Sequence, residues 1–422
     1  MKLESRGRAK FRPIKNYDVS EVKKLLINKL EEEQQRIKKI DEHVEIENIH
    51  YLSNKFNVVS LFSGCGGLDL GLELSGLDVI FGEKKVNNLL KNKSLFIHER
   101  HNSIFNVVCA VDMFKEANLT FKKNFPKTVI QLEKDIRKIK NFPIGDIVLG
   151  GFPCPGFSEA GPRLIDDERN FLYIHFIRCL LQTKPFLFIA ENVKGLLTLG
   201  KGEVAKQIIQ DFESAGYKVQ FKLVNASDYG VPQNRERVFI VGVRKDINYN
   251  YTFPAPTHGE KEELIARKNL EDAIGDLKDD PGEWYEGSYS SMYLSRNRKK
   301  KWTEQSFTIQ ASGRQAPLHP SGPPMKKIDK DKWELPGGES KHRRLSIKEV
   351  SRIQTFPDWF EYCYGSENIS KNGKLDKVYK QIGNAVPVEL ARVISRPIAE
   401  WSAANMEFLK DKRQSFQQLP LI

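Results

Sequence analysis

Apolar positions along this chain follow two regimes. Between residues 57 and 244, short runs of β-branched and aliphatic residues alternate with stretches whose apolar positions recur every three or four residues. The runs are Val58–Phe62, Val107–Val111, a stretch near Val129, Ile147–Leu149, Phe186–Ala190, Tyr217–Leu223 and Val238–Val243. Helical periodicity lies between them: after a glycine turn through about Leu74, at Phe114, Ala117 and Phe121, and at Val204, Ile208, Ile209 and Phe212. Strands separated by helices predict an α/β fold built on a doubly wound, mostly parallel sheet of Rossmann-like type.

The flanks read differently. Residues 1–55 form a charged N-terminal extension with one helix over 20–47. Its stripe of Val22, Leu25, Leu26, Leu30 and Ile37 is too short for a coiled coil and predicts a solvated surface helix. Residues 83–106 read as a polar insertion. After Arg244 the periodicity fades, and residues 250–342 are rich in Pro, Gly, Ser and basic groups, which predicts a smaller loop-rich domain. Pattern returns from Leu345 and ends in a helix over 389–401. The expected division is 1–55, 56–249 as the first part of the main domain, 250–371 as the second domain, and 372–422 returning to the first.

Composition narrows the class. The 422 residues are 40% hydrophobic and 29% charged with a net charge of +12, as expected of a globular protein with a polyanionic partner, either nucleic acid or an acidic membrane surface. Five cysteines (Cys65, Cys109, Cys154, Cys179 and Cys363) form no CxxC pair and no zinc spacing. They predict a reducing compartment and no metal. No apolar stretch approaches a membrane span and the N-terminus has no apolar signal core, so a cytoplasmic protein is expected.

The chemistry concentrates in a few places. Residues 150–158 read Gly-Gly-Phe-Pro-Cys-Pro-Gly-Phe-Ser directly after a buried strand, and hold Cys154 in a rigid turn at the strand's carboxyl edge. Open α/β sheets place ligands at that edge. A core cysteine has no use for such a turn, which favours a nucleophile over a structural thiol. The turn Phe62-Ser63-Gly64-Cys65-Gly66-Gly67-Leu68 also follows a strand and opens a helix. Its third required glycine is replaced by Asp69, which argues against a dinucleotide. Asp112 and Asp135, after the next two strands, are either adenosine ligands or ordinary helix caps. Glu191 ends a strongly apolar strand, where desolvation raises a carboxyl pKa and suits it to donate a proton. Arg235 and Arg237 precede another strand and offer guanidinium groups.

In order, these sites resemble the motifs of the DNA cytosine-5 methyltransferases. The glycine turn resembles their cofactor motif, and Pro153-Cys154 with Phe157-Ser158 their catalytic motif. Glu191-Asn192-Val193, Gln233-x-Arg235-x-Arg237 and Gln381-Ile-Gly-Asn-Ala-Val-Pro387 resemble three more. Arg344–Glu349 with Gln354–Asp358 resembles the motif that closes the recognition region. The resemblance runs from about Val58 to Trp401.

It implies S-adenosylmethionine held by Phe62, Ser63, Gly64, Gly66, Gly67, Leu68, Asp112, Asp135, Ile136, Pro153, Leu172, Asn384 and Val386, with no metal. It implies that Cys154 attacks C6 of a flipped cytosine, that Glu191 protonates N3, and that Arg237, supported by Arg235, holds O2. Double-stranded DNA would be met by Ser158, Arg163, Arg296, Arg298, Lys299, Lys300, Lys301 and Arg314. The family architecture implies a bacterial modification enzyme paired functionally with a restriction endonuclease. Two departures stand out: Pro155 replaces the family's more usual Gln after the cysteine, and the 83–106 insertion lengthens the path from the glycine turn to Asp112. The competing readings are a relative acting on transfer RNA, a non-catalytic DNA-binding module, and an NAD-dependent oxidoreductase.

Overall fold

The structure, a computed structural model, describes residues 19–40, 48–153 and 171–407. Cys154, Ser158 and Arg163 lie outside the described residues. The elements of the main unit, in chain order, are α1 (Val19–Lys38), β1 (Phe56–Leu61), α2 (Gly67–Phe81), α3 (Glu83–Leu89), α4 (Lys93–Glu99), β2 (Phe105–Asp112), α5 (Lys115–Asn124), β3 (Ile130–Glu133), β4 (Ile147–Gly150), α6 (Tyr173–Thr183), β5 (Leu187–Val193), α7 (Glu203–Ser214), β6 (Tyr217–Asn225) and β7 (Glu236–Arg244).

The seven strands form one sheet in the order β3-β2-β1-β4-β5-β7-β6. The chain winds outward from β1 to β3, then returns to β4 on the other side of β1. This creates the switch point at which open sheets bind ligands. All pairs from β3 through β5 are parallel, whereas β7 runs antiparallel to both β5 and β6.

The apolar runs form strands because the sheet is covered on both faces, so successive side chains find different cores. Val59, Leu61, Val148, Phe188 and Ala190 join Phe176, Phe212 and Tyr217 on one face. Val58, Ile147, Leu149, Leu187 and Ile189 join Leu68, Leu72, Leu390 and Ile394 on the other.

Beyond the sheet come short pairs β8 (His258–Gly259) with β9 (Ile265–Ala266), α8 (Leu270–Ile274), the hairpin of β10 (Lys326–Asp329) and β11 (Lys332–Glu334), α9 (Ile347–Ile353), α10 (Lys371–Asn384) and α11 (Val388–Ala404). Helices α8, α9 and α10 share an apolar core through Leu270, Ile274, Val350, Ile353, Leu375 and Ile382. Helix α11 instead packs back along α2. There Gly71 is needed, because a Cβ on it would stand 2.3 Å from that of Ala391.

Three readings are refined here. The segment 83–106, read as a polar insertion, forms two helices leading into β2. Buried Val86 and Phe96 anchor it, the Trp359 ring lies tilted against that of Phe96 with centres 5.2 Å apart, and the Trp359 indole donates to the Leu90 carbonyl at 2.9 Å. So few apolar residues suffice because a tryptophan from a distant part of the chain completes the contact. Helix α1 is not simply solvated either: Leu30 packs against the sheet core and Glu33 is buried against His175 on α6. A charged residue at a core-facing position hides that face from a reading of apolar periodicity. Phe114, expected on the apolar face of α5, is instead the exposed residue preceding that helix.

Candidate active site

The parallel strands β1, β2 and β3 bring their carboxyl ends together, and the glycine turn leaves β1 there. The turn is sharp: Phe62, Gly64 and Gly66 all have positive φ. Glycine is required at 66, where φ is 91° and a Cβ would lie 2.3 Å from the Phe125 ring. At Gly67 a Cβ would stand 2.4 Å from the Val386 carbonyl, so the turn and the segment after α10 touch backbone to backbone. Asp112, at the end of β2, accepts from the Gly64 N–H at 2.9 Å and the Phe114 N–H at 2.8 Å. Burial raises its pKa, an effect these two donors oppose.

Asp135 caps the turn that follows β3. Its carboxylate accepts from the Arg137 N–H at 3.0 Å and pairs with the Arg137 guanidinium at 2.5 Å. Burial acts to raise its pKa, but the Arg137 contacts prevail and lower it. Ile136 and Leu172 are buried nearby, the latter at the start of α6. Val386 is buried and Asn384 is exposed at the end of α10. Met113 and Phe114, beside Asp112, are 55% and 40% exposed. Such an apolar pair next to an open backbone turn fits the adenosine part of a cofactor, and no expectation from the sequence had included it there. Its signal was available: two large apolar residues directly after the Asp that ends a strand.

The second cluster lies across the switch point. Glu191, two residues before the end of β5, is buried, and its Oε1 lies 2.9 Å from Arg237 Nε. Burial raises the Glu191 pKa, opposed by Arg237 and then Arg235. The neighbouring β4 ends in Gly150, and a Cβ on the following Gly151 would stand 3.2 Å from Glu191 Oε2. The Asn192 side chain donates to the Phe152 carbonyl at 3.1 Å. The backbone leading to Pro153, and in sequence to Cys154, therefore runs directly past the Glu191 carboxyl.

Arg235 does something else. It is 1% exposed, and its guanidinium donates to the carbonyls of Gly383 at 2.8 Å, Ala385 at 3.1 Å and Ile309 at 3.2 Å. Gln233 complements it, donating to Gln354 Oε1 at 2.9 Å and accepting from the Ile309 N–H at 2.8 Å. This pair ties the sheet edge to the segment after α10, so the Arg235 guanidinium is hydrogen-bonded to backbone carbonyls and not to the Glu191 carboxyl.

The basic block is split by the fold. Arg296, Lys301 and Arg314 are exposed. Arg298 and Lys299 are buried, against the expectation that both meet DNA. Arg298 lies 4.9 Å from the centre of the Tyr293 ring, and the Lys299 ammonium donates to the Pro323 carbonyl at 3.0 Å and contacts His342. Lys300 is paired with Glu304 at 2.8 Å. Residues of this irregular segment turn in or out according to the partners that the fold brings to them, which composition cannot say. Arg344, which opens the motif read as closing the recognition region, is 2% exposed: it lies 4.4 Å from the Tyr289 ring and donates to the Gly287 carbonyl at 2.9 Å, organising the same region from within.

Among the described residues no group of His, Cys, Asp and Glu could hold a metal ion, and no helix is long and apolar enough to cross a membrane.

Residues 56–400 match the model of the C-5 cytosine-specific DNA methylases. The chain is 60% identical to the Type II methyltransferase M.BsuRI of Bacillus subtilis over 96% of its own length and 94% of that protein. It is 39% identical to the Type II methyltransferase M.NgoPII of Neisseria gonorrhoeae over 82% and 96%. Among solved structures, methyltransferase EhMeth of Entamoeba histolytica superposes with a TM-score of 0.56 at 17% identity, covering 83% of this chain and 98% of that one.

Proposed function

Because the chain belongs to the C-5 cytosine-specific DNA methylase family, we propose that it methylates cytosine within a short, specific sequence of double-stranded DNA, with S-adenosylmethionine as donor and Cys154 as nucleophile. DNA cytosine-5 methylation of the Type II restriction–modification kind is the family's activity. To that activity the proposal adds S-adenosylmethionine as donor, the covalent step and functional pairing with a restriction endonuclease.

The observation that carries it is the buried Glu191–Arg237 pair beside the backbone that leads into Cys154. C5 of cytosine is a poor nucleophile until addition at C6 makes the ring enamine-like. The Cys154 thiolate forms the C6–S bond while Glu191 gives its proton to N3, and Arg237 holds O2 and keeps the carboxyl in place. C5 then accepts the methyl group. With the methyl donor leaving as its neutral thioether, loss of the C5 proton to water, departure of the Cys154 thiolate and return of the N3 proton to the Glu191 carboxylate restore the aromatic ring. The target base leaves the helix first, because its reacting faces are stacked inside the duplex.

S-adenosylmethionine supplies an electrophilic methyl group. The glycine turn 62–68, Asp112, Asp135, Ile136, Leu172, Asn384 and Val386 would hold it, and the exposed Met113 and Phe114 suit its adenosine half. Arg296, Lys301 and Arg314 are the exposed groups of the basic segment that would meet DNA, with Arg163 and Ser158 outside the described residues.

The test is methyl transfer from labelled S-adenosylmethionine to duplex DNA and, in parallel, to RNA. DNA alone should be labelled. Duplexes carrying 5-fluorocytosine at the target should trap a covalent adduct at Cys154, since fluorine cannot leave as a proton does. An active Cys154→Ser variant, or trapping at Cys65, would remove Cys154 from this role. Cys65 is a poor rival, as burial pushes its pKa up to about 12.

A further inference from the structure

Helix α1 precedes the segment that matches the family, yet it carries a buried carboxylate. Glu33 is 5% exposed, and its Oε1 lies 2.8 Å from Nε2 of His175, itself 1% exposed. Burial lowers the His175 pKa, so at neutral pH an uncharged ring donates from Nε2 to the Glu33 carboxylate. The other ring nitrogen has no hydrogen-bond partner among the described residues. A buried hydrogen bond to a charged acceptor is worth more than a neutral one, and losing one partner strands the other.

What the pair touches gives it meaning. Leu172, His175 and Arg178 recur every three positions, so they share one face at the start of α6. Arg178 donates to the Ile136 carbonyl at 2.9 Å and lies 4.8 Å from the Phe142 ring. Leu172 and Ile136 are assigned above to the cofactor pocket. Asp135, next in the chain, is paired with Arg137, whose positive charge also acts on Glu33. One connected set of contacts thus runs from α1 through α6 to the turn after β3.

We infer that α1 braces the cofactor pocket, with Glu33 a positioning residue that acts through His175 on α6 and so on Leu172, Ile136 and Asp135. This rests on the cofactor reading above. If α1 merely covered apolar surface, any loss of its packing would have the same effect, and the polar pair would be incidental.

The experiment is calorimetric titration of the full chain with S-adenosylhomocysteine, alongside thermal unfolding, for the wild type, Glu33→Ala, Glu33→Gln and Leu30→Ala. Leu30 packs on the same core without being part of the pair. Glu33→Ala should weaken binding by about 5–10-fold, the scale on which residues without ligand contact modulate affinity. Glu33→Gln should stay within about twofold, since its amide oxygen still accepts from Nε2 and a neutral hydrogen bond loses only part of the gain. Leu30→Ala should lower the melting temperature and leave affinity unchanged. Wild-type affinity in Glu33→Ala, or equal weakening in Glu33→Ala and Leu30→Ala, overturns the brace. If Glu33→Ala does not fold, hydrogen exchange of the wild type decides. The ligand should then protect residues 30–36 together with 135–138, and protection confined to 62–68 overturns the proposal. A wild-type chain that does not bind S-adenosylhomocysteine overturns the cofactor reading, and the brace with it.

Discussion

Arg237 Nε stands 2.9 Å from Glu191 Oε1 because β7 runs antiparallel to β5. The register places Val193 opposite Arg237 and Glu191 opposite Phe239, so the two charged side chains are diagonal neighbours on one face. A parallel β7 would have put Arg237 at the far edge of the sheet. The reversal sets the start of one strand beside the end of another, exactly where β4 also delivers its loop, and it keeps a carboxyl buried with an incomplete neutralising partner.

Replacing Glu191 with Gln should slow the chemical step by about 10²–10⁴-fold, the usual worth of general acid help. DNA affinity should hardly change, since the proton matters mainly in the transition state. Single-turnover methylation with equilibrium binding checks both, and a loss under about tenfold would remove Glu191 from the mechanism.

The pH profile follows from the pKa directions. Burial raises the Glu191 pKa and Arg237 opposes that rise. The step that uses the proton should fall off as pH climbs through the raised value. Arg237→Ala removes the opposing charge, so in that slower variant the falling limb should move to higher pH. A limb that moves downward would contradict the assignment.

Arg235 should behave as a structural tie. Arg235→Ala leaves the Gly383, Ala385 and Ile309 carbonyls without their buried donor, at a cost of about 2–4 kcal/mol. The melting temperature should drop, and Arg235→Lys should recover only part of it, because an ammonium cannot reproduce the planar fork. Full stability in the alanine variant would show the tie to be dispensable.

Asp69 is 1% exposed, and neither carboxylate oxygen has a hydrogen-bond partner among the described residues. Burial raises its pKa from 3.8 to about 7, an effect that the nearby Ser60 only partly offsets. Below about pH 4 the group is protonated in both folded and unfolded chains; between about 4 and 7 the unfolded chain ionises first, so stability is lost as pH rises through that window. Asp69→Asn should flatten this dependence and stabilise the protein at pH 8 by about 1–3 kcal/mol. Melting temperatures from pH 5 to 8 check it; parallel curves for the two proteins would place the proton elsewhere.

The basic segment predicts a split by burial. Arg296→Ala should weaken DNA binding, and should relax the target sequence by about 1–3 kcal/mol at one base pair if it reads a guanine edge. Lys301→Ala should reduce the slope of log affinity against log salt by about one unit. Lys299→Ala should leave that slope alone and lower stability, since its ammonium is spent on the Pro323 carbonyl and His342. The slopes measured side by side decide; a slope change for Lys299 equal to that for Lys301 would mean the segment rearranges on DNA.

The sequence alone determined the sheet class, since apolar runs separated by helical periodicity have few other ways to be buried on both faces. It also determined two local features: the Gly64–Gly67 turn, where positive φ at Gly64 and Gly66 and close backbone approach at Gly67 favour glycine, and a carboxyl, Glu191, near the end of an apolar strand. Only the tertiary structure decided what those groups meet. Arg235 and Arg237 are two residues apart and read alike, yet one binds backbone carbonyls and the other a carboxylate, because their partners come from distant segments. Arg298 and Lys299 turned inward and Arg296 outward for the same reason, as did Glu33, whose burial depends on a histidine that no local pattern connects to it. Periodicity records which face of an element is apolar; it carries no record of which polar side chain will be satisfied across a long-range contact.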